Sequence, residues 1–445
     1  MWPGPLRGTV VVASRAGTGP GVAADEGVPV GGRADMTVDV AIVGGGIAGA
    51  ALATVLARDG YEVLLLERQT SYRDKVRGEI LVCWGVAEMF ALDLEKPLLD
   101  AGGHYVTRGV LYDEVIDPAT AKEQAIPLDR LLPGVPGALD VGHPEACEAL
   151  ARTAADAGAT VLRGVGDVEV VPGARPTLRY ELDDLVTTVS AGLVVGADGR
   201  TSSIRRRLGL ALRETRPTTM GGGMLVDGLD AWPADQASLG TEGDLYHLVF
   251  PRAHGRARLY LLHDVAQRGR FAGPDRQARF LDAFQFRCLP DAEVFRSGRP
   301  AGPCAFYPMN DTWTDVPCAP GVVLIGDAAG WNDPIIGQGL SIALRDVRMV
   351  ADVVRAGPDR SVTAFTPYVQ ERQERMRRLR LAAKIQTALV ATFTPSGAAR
   401  RKAFYTVFRT DPVLGGPRLA AQLGPEKVPA EAFGPENVAR ILAMG

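Results

Sequence analysis

The sequence predicts an α/β fold in which a doubly wound domain with a parallel sheet is interleaved with an antiparallel β-sheet domain and followed by C-terminal helices. Three observations predict it. A short apolar strand, VDVAIV (38–43), runs into a glycine-rich turn and a helix. Two later buried-strand patterns each run into a turn that sets an Asp beside a Gly, Asp198-Gly199 and Gly326-Asp327. Between them lie stretches such as DLYHLVF (244–250) and RARLYLLHDV (256–265), whose alternation suits antiparallel strands with one buried face.

The chain has 445 residues, enough for two or three domains. Its 49 basic and 52 acidic residues leave a net charge of −3, so no overall field draws it to nucleic acid or to an anionic membrane. Five cysteines (Cys83, Cys147, Cys288, Cys304, Cys318) are scattered without CxxC or CxxH spacing. They read as reduced thiols of a cytoplasmic protein, and no metal site is expected. Residues 1–35 hold one short apolar run, GTVVVA, broken by Gly and Pro, and no convincing signal peptide. A disordered extension is expected there, with Met36 as an alternative start. The stretch from Val38 is about as long as a membrane span, but its three consecutive glycines fit a strand, a turn and a helix, and no span is expected.

The first strand is of the kind buried on both faces of a parallel sheet. Gly44-Gly45-Gly46-Ile47-Ala48-Gly49 follows as a GxGxxG. Gly44 permits the tight turn, Gly46 lets backbone approach a pyrophosphate, and Gly49 lets the next helix pack on the strand. That helix, about residues 47–59, carries Leu52, Val55 and Leu56 on one face and stops at Gly60. Its N-terminus offers free N–H groups and partial positive charge to phosphates. A second strand (62–66) delivers Glu67, 18 residues beyond Gly49, whose carboxylate can accept hydrogen bonds from a ribose and would repel a 2′-phosphate. FAD or NAD is therefore favoured over NADP at this Rossmann-like site.

LVVGADGRTSSIR (193–205) and VVLIGDAAGWNDPIIGQGLSIALRDV (322–347) supply the two later motifs, the second opening a helix at Gly337-Gln338-Gly339. With GxGxxG, DG and GD in this order, residues of about 37–380 resemble the group A flavoprotein monooxygenases, the family of para-hydroxybenzoate hydroxylase. The resemblance implies an FAD-binding domain assembled from residues 36–100, 138–212 and 302–380. A substrate domain would come from 101–137 and 213–301, and a C-terminal helical segment from 381–445. It also implies that Asp327 hydrogen-bonds the ribityl chain and that Pro334 to Gly339 lies against the isoalloxazine ring, where a helix N-terminus would stabilise the negative charge of the reduced ring. Asp198 and Gly199 would sit near the pyrophosphate. Arg77, in Arg77-Gly78-Glu79, is a candidate for a contact to FAD phosphate or to a nicotinamide cofactor. His143 stands where many relatives carry Arg or Gln, so it is either a flavin contact or a helix-start residue. Gly44, Gly46, Ile47, Ala48, Gly49, Glu67, Arg68, Gly326, Gln338 and Leu340 complete the expected cofactor set.

On the substrate side, Trp84, Tyr246, His247, Tyr307, Met309, Trp331 and Pro334 are pocket candidates, since large flat side chains suit an aromatic or polycyclic substrate. His247 and His263 fall on opposite phases of the strand pattern, so one of them is expected to face inward. The basic residues of ERQERMRRLR (371–380) read as a solvated helix face behind the apolar Met376, Leu379, Ala383 and Leu389. No second GxGxxG exists, as Gly221-Gly222-Gly223 lacks the matching Gly and helix, so NADH or NADPH would bind transiently.

The activity implied by the resemblance is that of a single-component FAD-dependent monooxygenase. NAD(P)H would reduce the flavin, O2 would add at C4a, and the flavin hydroperoxide would oxygenate an organic substrate held by a monomer or homodimer. Hydroxylation, epoxidation and ring-expanding insertion stay open. A halogenase is disfavoured because WxWxIP is absent and no Lys follows Gly78-Glu79 until Lys96. A reductase of prenyl-type C=C bonds is the enzymatic alternative, and a flavin-binding sensor the non-enzymatic one.

Overall fold

The computed structural model describes residues 36–445; the extension expected at 1–35 lies outside the described residues. One sheet has the parallel strands Thr160–Arg163, Val63–Glu67, Met36–Val43, Leu185–Gly196 and Val322–Leu324 side by side in that spatial order. From Met36–Val43 the chain first builds outward to one side, then returns to add Leu185–Gly196 on the other. The order therefore reverses beside the first strand, and such a reversal opens a crevice at the carboxyl ends of the strands. All three motif turns, at Gly44, Asp198 and Gly326, leave strands at that end.

The helix Ile47–Arg58 buries every residue from Ala48 to Ala57, not only the face of Leu52, Val55 and Leu56. Its small residues let it lie between the sheet and two further helices, His143–Asp156 and Gly339–Ala356.

A second, mainly antiparallel sheet is built from Thr219–Asp227, Arg256–Asp264, Leu245–Arg252 and Gln236–Glu242, with Arg108–Leu111 and Ala305–Met309 at its margins. Strand periodicity gives it two faces. Tyr246 pairs with Leu262 and Leu248 with Tyr260, and these side chains face the first domain, as does Phe250. His247 pairs with Leu261 and lies on the opposite face.

The helix Thr366–Val390 runs through residue 380 without a break, followed by Pro395–Val407, Pro412–Leu423 and Pro435–Leu442. Met376, Leu379, Ala383 and Leu389 are buried. The solvated basic face expected on this helix is corrected at two positions, for Arg372 and Arg375 are only 4% and 3% exposed. Both reach Asp346, at 3.1 and 2.7 Å, and Arg375 also reaches Glu371 at 3.0 Å. A carboxylate on a neighbouring helix made burial of two cations tolerable, and no local pattern could report it.

Candidate active site

A cavity of about 430 Å³ lies where the strand-end turns of the first domain meet the second sheet and the C-terminal helices. At one end it is walled by backbone. Gly46, Ile47 and Ala48 line it, as do Gly199, Gly326, Asp327, Pro334, Gly337, Gln338, Gly339 and Leu340. A Cβ on Gly46, Gly199 or Gly339 would meet nothing within 4 Å, so these positions leave room for a ligand rather than for protein. Gly44 and Gly49 do not line the cavity. They shape its floor, since a Cβ on Gly44 (φ 106°) would collide with the Ala197 carbonyl and one on Gly49 with the Gly44 carbonyl. Glu67 is buried behind the turn, where its carboxylate accepts hydrogen bonds from the N–H groups of Gly45 (2.6 Å) and Gln69 (2.7 Å). Arg68 is exposed and lines no part of the cavity.

The Asp198 carboxylate accepts from Ser203 N (2.6 Å) and Ile204 N (3.2 Å), which caps a short helix, while its other oxygen is buried without a partner. Asp327 accepts from Arg200 Nε at 3.1 Å, and the Arg200 guanidinium lies 5.0 Å from the centre of the Trp331 ring. Arg77 lines the cavity with its guanidinium 4.8 Å from the Tyr307 ring centre and its Nε buried and unpartnered. Burial and the neighbouring Arg200 lower the Arg77 pKa. His143 also lines the cavity; burial, with Lys75 and Arg77 adding to it, pushes its pKa down to about 4, so the ring is neutral at pH 7. Glu79, from the same segment as Arg77, pairs with Arg252 (2.5 Å) and Arg258 (3.0 Å), and its burial raises its pKa against those two cations. Asp333 caps the Pro334 turn through Ile335 N at 3.0 Å, and burial raises it to about 7.

The segment Pro334–Leu340 is braced from behind. Trp84 lies outside the cavity and donates from Nε1 to Gln338 Oε1 at 2.8 Å, so it positions the segment instead of lining the pocket as expected. Arg372 donates to the carbonyls of Gly326 (3.1 Å) and Gly330 (2.9 Å), and Asp346 accepts from Gly326 N at 2.8 Å.

The other end of the cavity is walled by side chains. Tyr246, Leu248, Phe250, Leu262 and Met309 come from the sheet, and Ile385, Phe408 and Leu419 from the C-terminal helices. Tyr307, Trp331 and Pro334 also line the cavity. His247 does not; its Nε2 lies 3.1 Å from the Tyr112 carbonyl and its ring stacks on Phe286, on the far side of the sheet. His263 packs against Phe271 and Phe306 on that same face, so the expectation that one of the two faces inward is corrected. Each is one position out of phase with a cavity-facing residue, Tyr246 or Leu262, which is the available signal once the inner face is known. Gln386, Arg418 and Gln422 also line this end. Sequence reasoning missed them because they come from helices about 75 to 175 residues distant from the sheet wall they face, each turn of which shows an ordinary helical pattern.

These groups fit a dinucleotide-type flavin. The helices Ile47–Arg58 and Gly339–Ala356 begin at Gly46 and Gln338 without a side-chain cap, so free N–H groups open onto the cavity. The orphaned Arg77 Nε belongs to a residue that lines the cavity and fits an anionic cofactor, whereas Asp198, expected near the pyrophosphate, caps its helix and lines no part of the cavity.

A family model described as "FAD binding domain" matches residues 37–379. The chain is 29% identical over 372 residues to kynurenine 3-monooxygenase of Salinispora tropica, covering 75% of this chain and 76% of that one. It is 30% identical over 333 residues to digeranylgeranylglycerophospholipid reductase 2 of Methanothermobacter thermautotrophicus, covering 72% and 78%. Its fold is similar to that of p-nitrophenol 4-monooxygenase PnpA from Pseudomonas putida, with a TM-score of 0.71, 16% identity, and coverage of 91% and 98%. With the flavin-fitting cradle in place and the match spanning most of the chain, the protein is an FAD-dependent oxidoreductase belonging to the group A FAD-dependent monooxygenase family.

Proposed function

We propose that the protein uses NADH or NADPH and O2 to oxygenate an organic substrate with a flat apolar body. The observation that carries this reading is the continuity of one cavity from the FAD cradle to an apolar chamber. FAD, when bound, supplies the redox chemistry and the activation of O2. The chain's own residues hold and orient. Gly46, Ile47 and Ala48 would bind the pyrophosphate on free N–H groups, Asp327 the ribityl hydroxyls, and the N-terminus at Gly339-Leu340 would favour negative charge on the ring. Arg77, at the junction of the two domains, would meet the anionic nicotinamide cofactor. Tyr246, Leu248, Phe250 and Leu262 form a roof that keeps water from the reacting centre.

A second reading, reduction of a C=C bond in a prenyl-type chain, is supported by the similarity to the archaeal reductase and by the apolar chamber. Purified FAD-loaded protein separates the two. With ¹⁸O2, the monooxygenase reading expects substrate-stimulated NAD(P)H oxidation and one labelled oxygen in the product. Turnover under anaerobic conditions with no label incorporated supports the reductase reading instead. A protein that stays colourless in saturating FAD overturns both.

A further inference from the structure

Arg418 stands out at the chamber end of the cavity, apart from Arg77 at the cradle end, which also has no carboxylate partner among the described residues. Glu79 is paired with Arg252 and Arg258, and Asp327 with Arg200. Arg418, in the helix Pro412–Leu423, has no carboxylate partner among the described residues. One of its N–H groups reaches Gln386 Oε1 at 3.2 Å, and its guanidinium rests 5.6 and 5.7 Å from the ring centres of Tyr405 and Phe408. The other donors make no hydrogen bond among the described residues, and Arg418, half-buried, lines the cavity. Gln386 lies near the Tyr246 hydroxyl, and Arg409, which does not line the cavity, lies 5.3 Å from the Phe408 ring centre. A guanidinium set into an apolar wall with four of its five N–H donors free presents a planar fork suited to a carboxylate.

We infer that the substrate is an apolar organic acid whose carboxylate is held by Arg418, with Gln386 and Tyr246 as neutral neighbours. This rests on the oxygenation reading for what happens at the flavin, but the recognition does not depend on it. The acid would be anchored at the C-terminal helices, directing its apolar body along Leu248 and Leu262 toward Pro334–Leu340. At this end Arg418 lines the cavity and Arg409 does not, and a lone guanidinium matches a single negative charge better than a phosphate dianion.

The test is equilibrium binding to the full-length, FAD-loaded protein, read from the flavin absorption spectrum, with 2-naphthoate and octanoate as probes against 2-naphthamide and octanamide. Each acid is expected to bind at least about tenfold more tightly than its amide, the range of a charge-assisted hydrogen bond. Arg418→Gln is expected to erase that preference while leaving the amides unchanged, and Arg418→Lys to restore part of it. Equal binding of acid and amide by the unmodified protein overturns the inference without any variant, as does a preference that survives Arg418→Gln. Retained acid preference in a protein that incorporates no labelled oxygen would leave the inference standing and remove only the oxygenation reading.

Discussion

At the cradle end of the cavity the protein presents backbone, with Gly46, Gly199, Gly326 and Gly339 at the wall, whereas at the chamber end it presents side chains from the second sheet and the C-terminal helices. A backbone wall offers the same N–H groups whatever side chains surround it, so it suits a cofactor that does not change. A wall of side chains can be altered one residue at a time, which suits a substrate that differs between relatives. The cradle must also be held rigid, because glycine turns have no side chains of their own to lock them. The buried brace of Arg372, Arg375 and Asp346 behind Gly326 does this.

The comparison is tested most severely by removing that brace. Arg372→Met leaves Asp346 short of a partner and frees two cradle carbonyls; breaking a buried pair this way costs about 3–5 kcal/mol. Urea unfolding of the FAD-free protein measures it, and a loss below about 1 kcal/mol would show that the cradle needs no brace.

A smaller effect separates the floor of the cradle from its wall. Gly44→Ala forces an L side chain to a φ of 106° and into the Ala197 carbonyl, costing about 2–4 kcal/mol of stability. Gly46→Ala points its methyl into open space, so stability should stay within about 0.5 kcal/mol while FAD affinity falls. Thermal unfolding without FAD, followed by FAD titration, distinguishes them; equal stability losses would break the distinction.

The third test uses pH and compares the cradle with the far side of the roof. Burial pushes both His143 and His247 down to about 4, from an ordinary 6.5. The fold thus favours the neutral ring. The stability each ring contributes is complete above pH 6.5 and is lost as pH falls toward 4, by about 2 kcal/mol per ring between pH 7 and 5. His143→Gln and His247→Gln should each flatten the acid limb of unfolding free energy. FAD should alter the His143 part alone, since only His143 lines the cavity; an equal response at His247 would contradict its placement.

Legibility followed the same division. Gly44 to Gly49, Asp198-Gly199 and Gly326-Asp327 each follow a buried strand directly, so a local pattern states that all three turns leave the sheet at the carboxyl ends of its strands. Trp84 and His247 misled because size and residue type alone cannot tell the inner face from the outer one. Trp84 lies behind Gln338, and His247 is one residue out of phase with the cavity-facing Tyr246. Gly221-Gly222-Gly223 reads as a motif without partners, yet Cβ atoms there would strike Met309, Ala305 and Leu259, so these glycines let neighbouring strands pass closely beside the cavity.

By itself the sequence determined the parallel-sheet domain, its three turns and the class of cofactor, because backbone conformation and strand burial are set by residues adjacent in the chain. Tertiary structure alone decided which face of the second sheet looks inward, that Arg372 and Arg375 are buried, and that Arg418 reaches Gln386 beside the cavity. Those facts depend on contacts between segments tens to hundreds of residues apart, and a contact at that distance leaves no period or spacing in either segment.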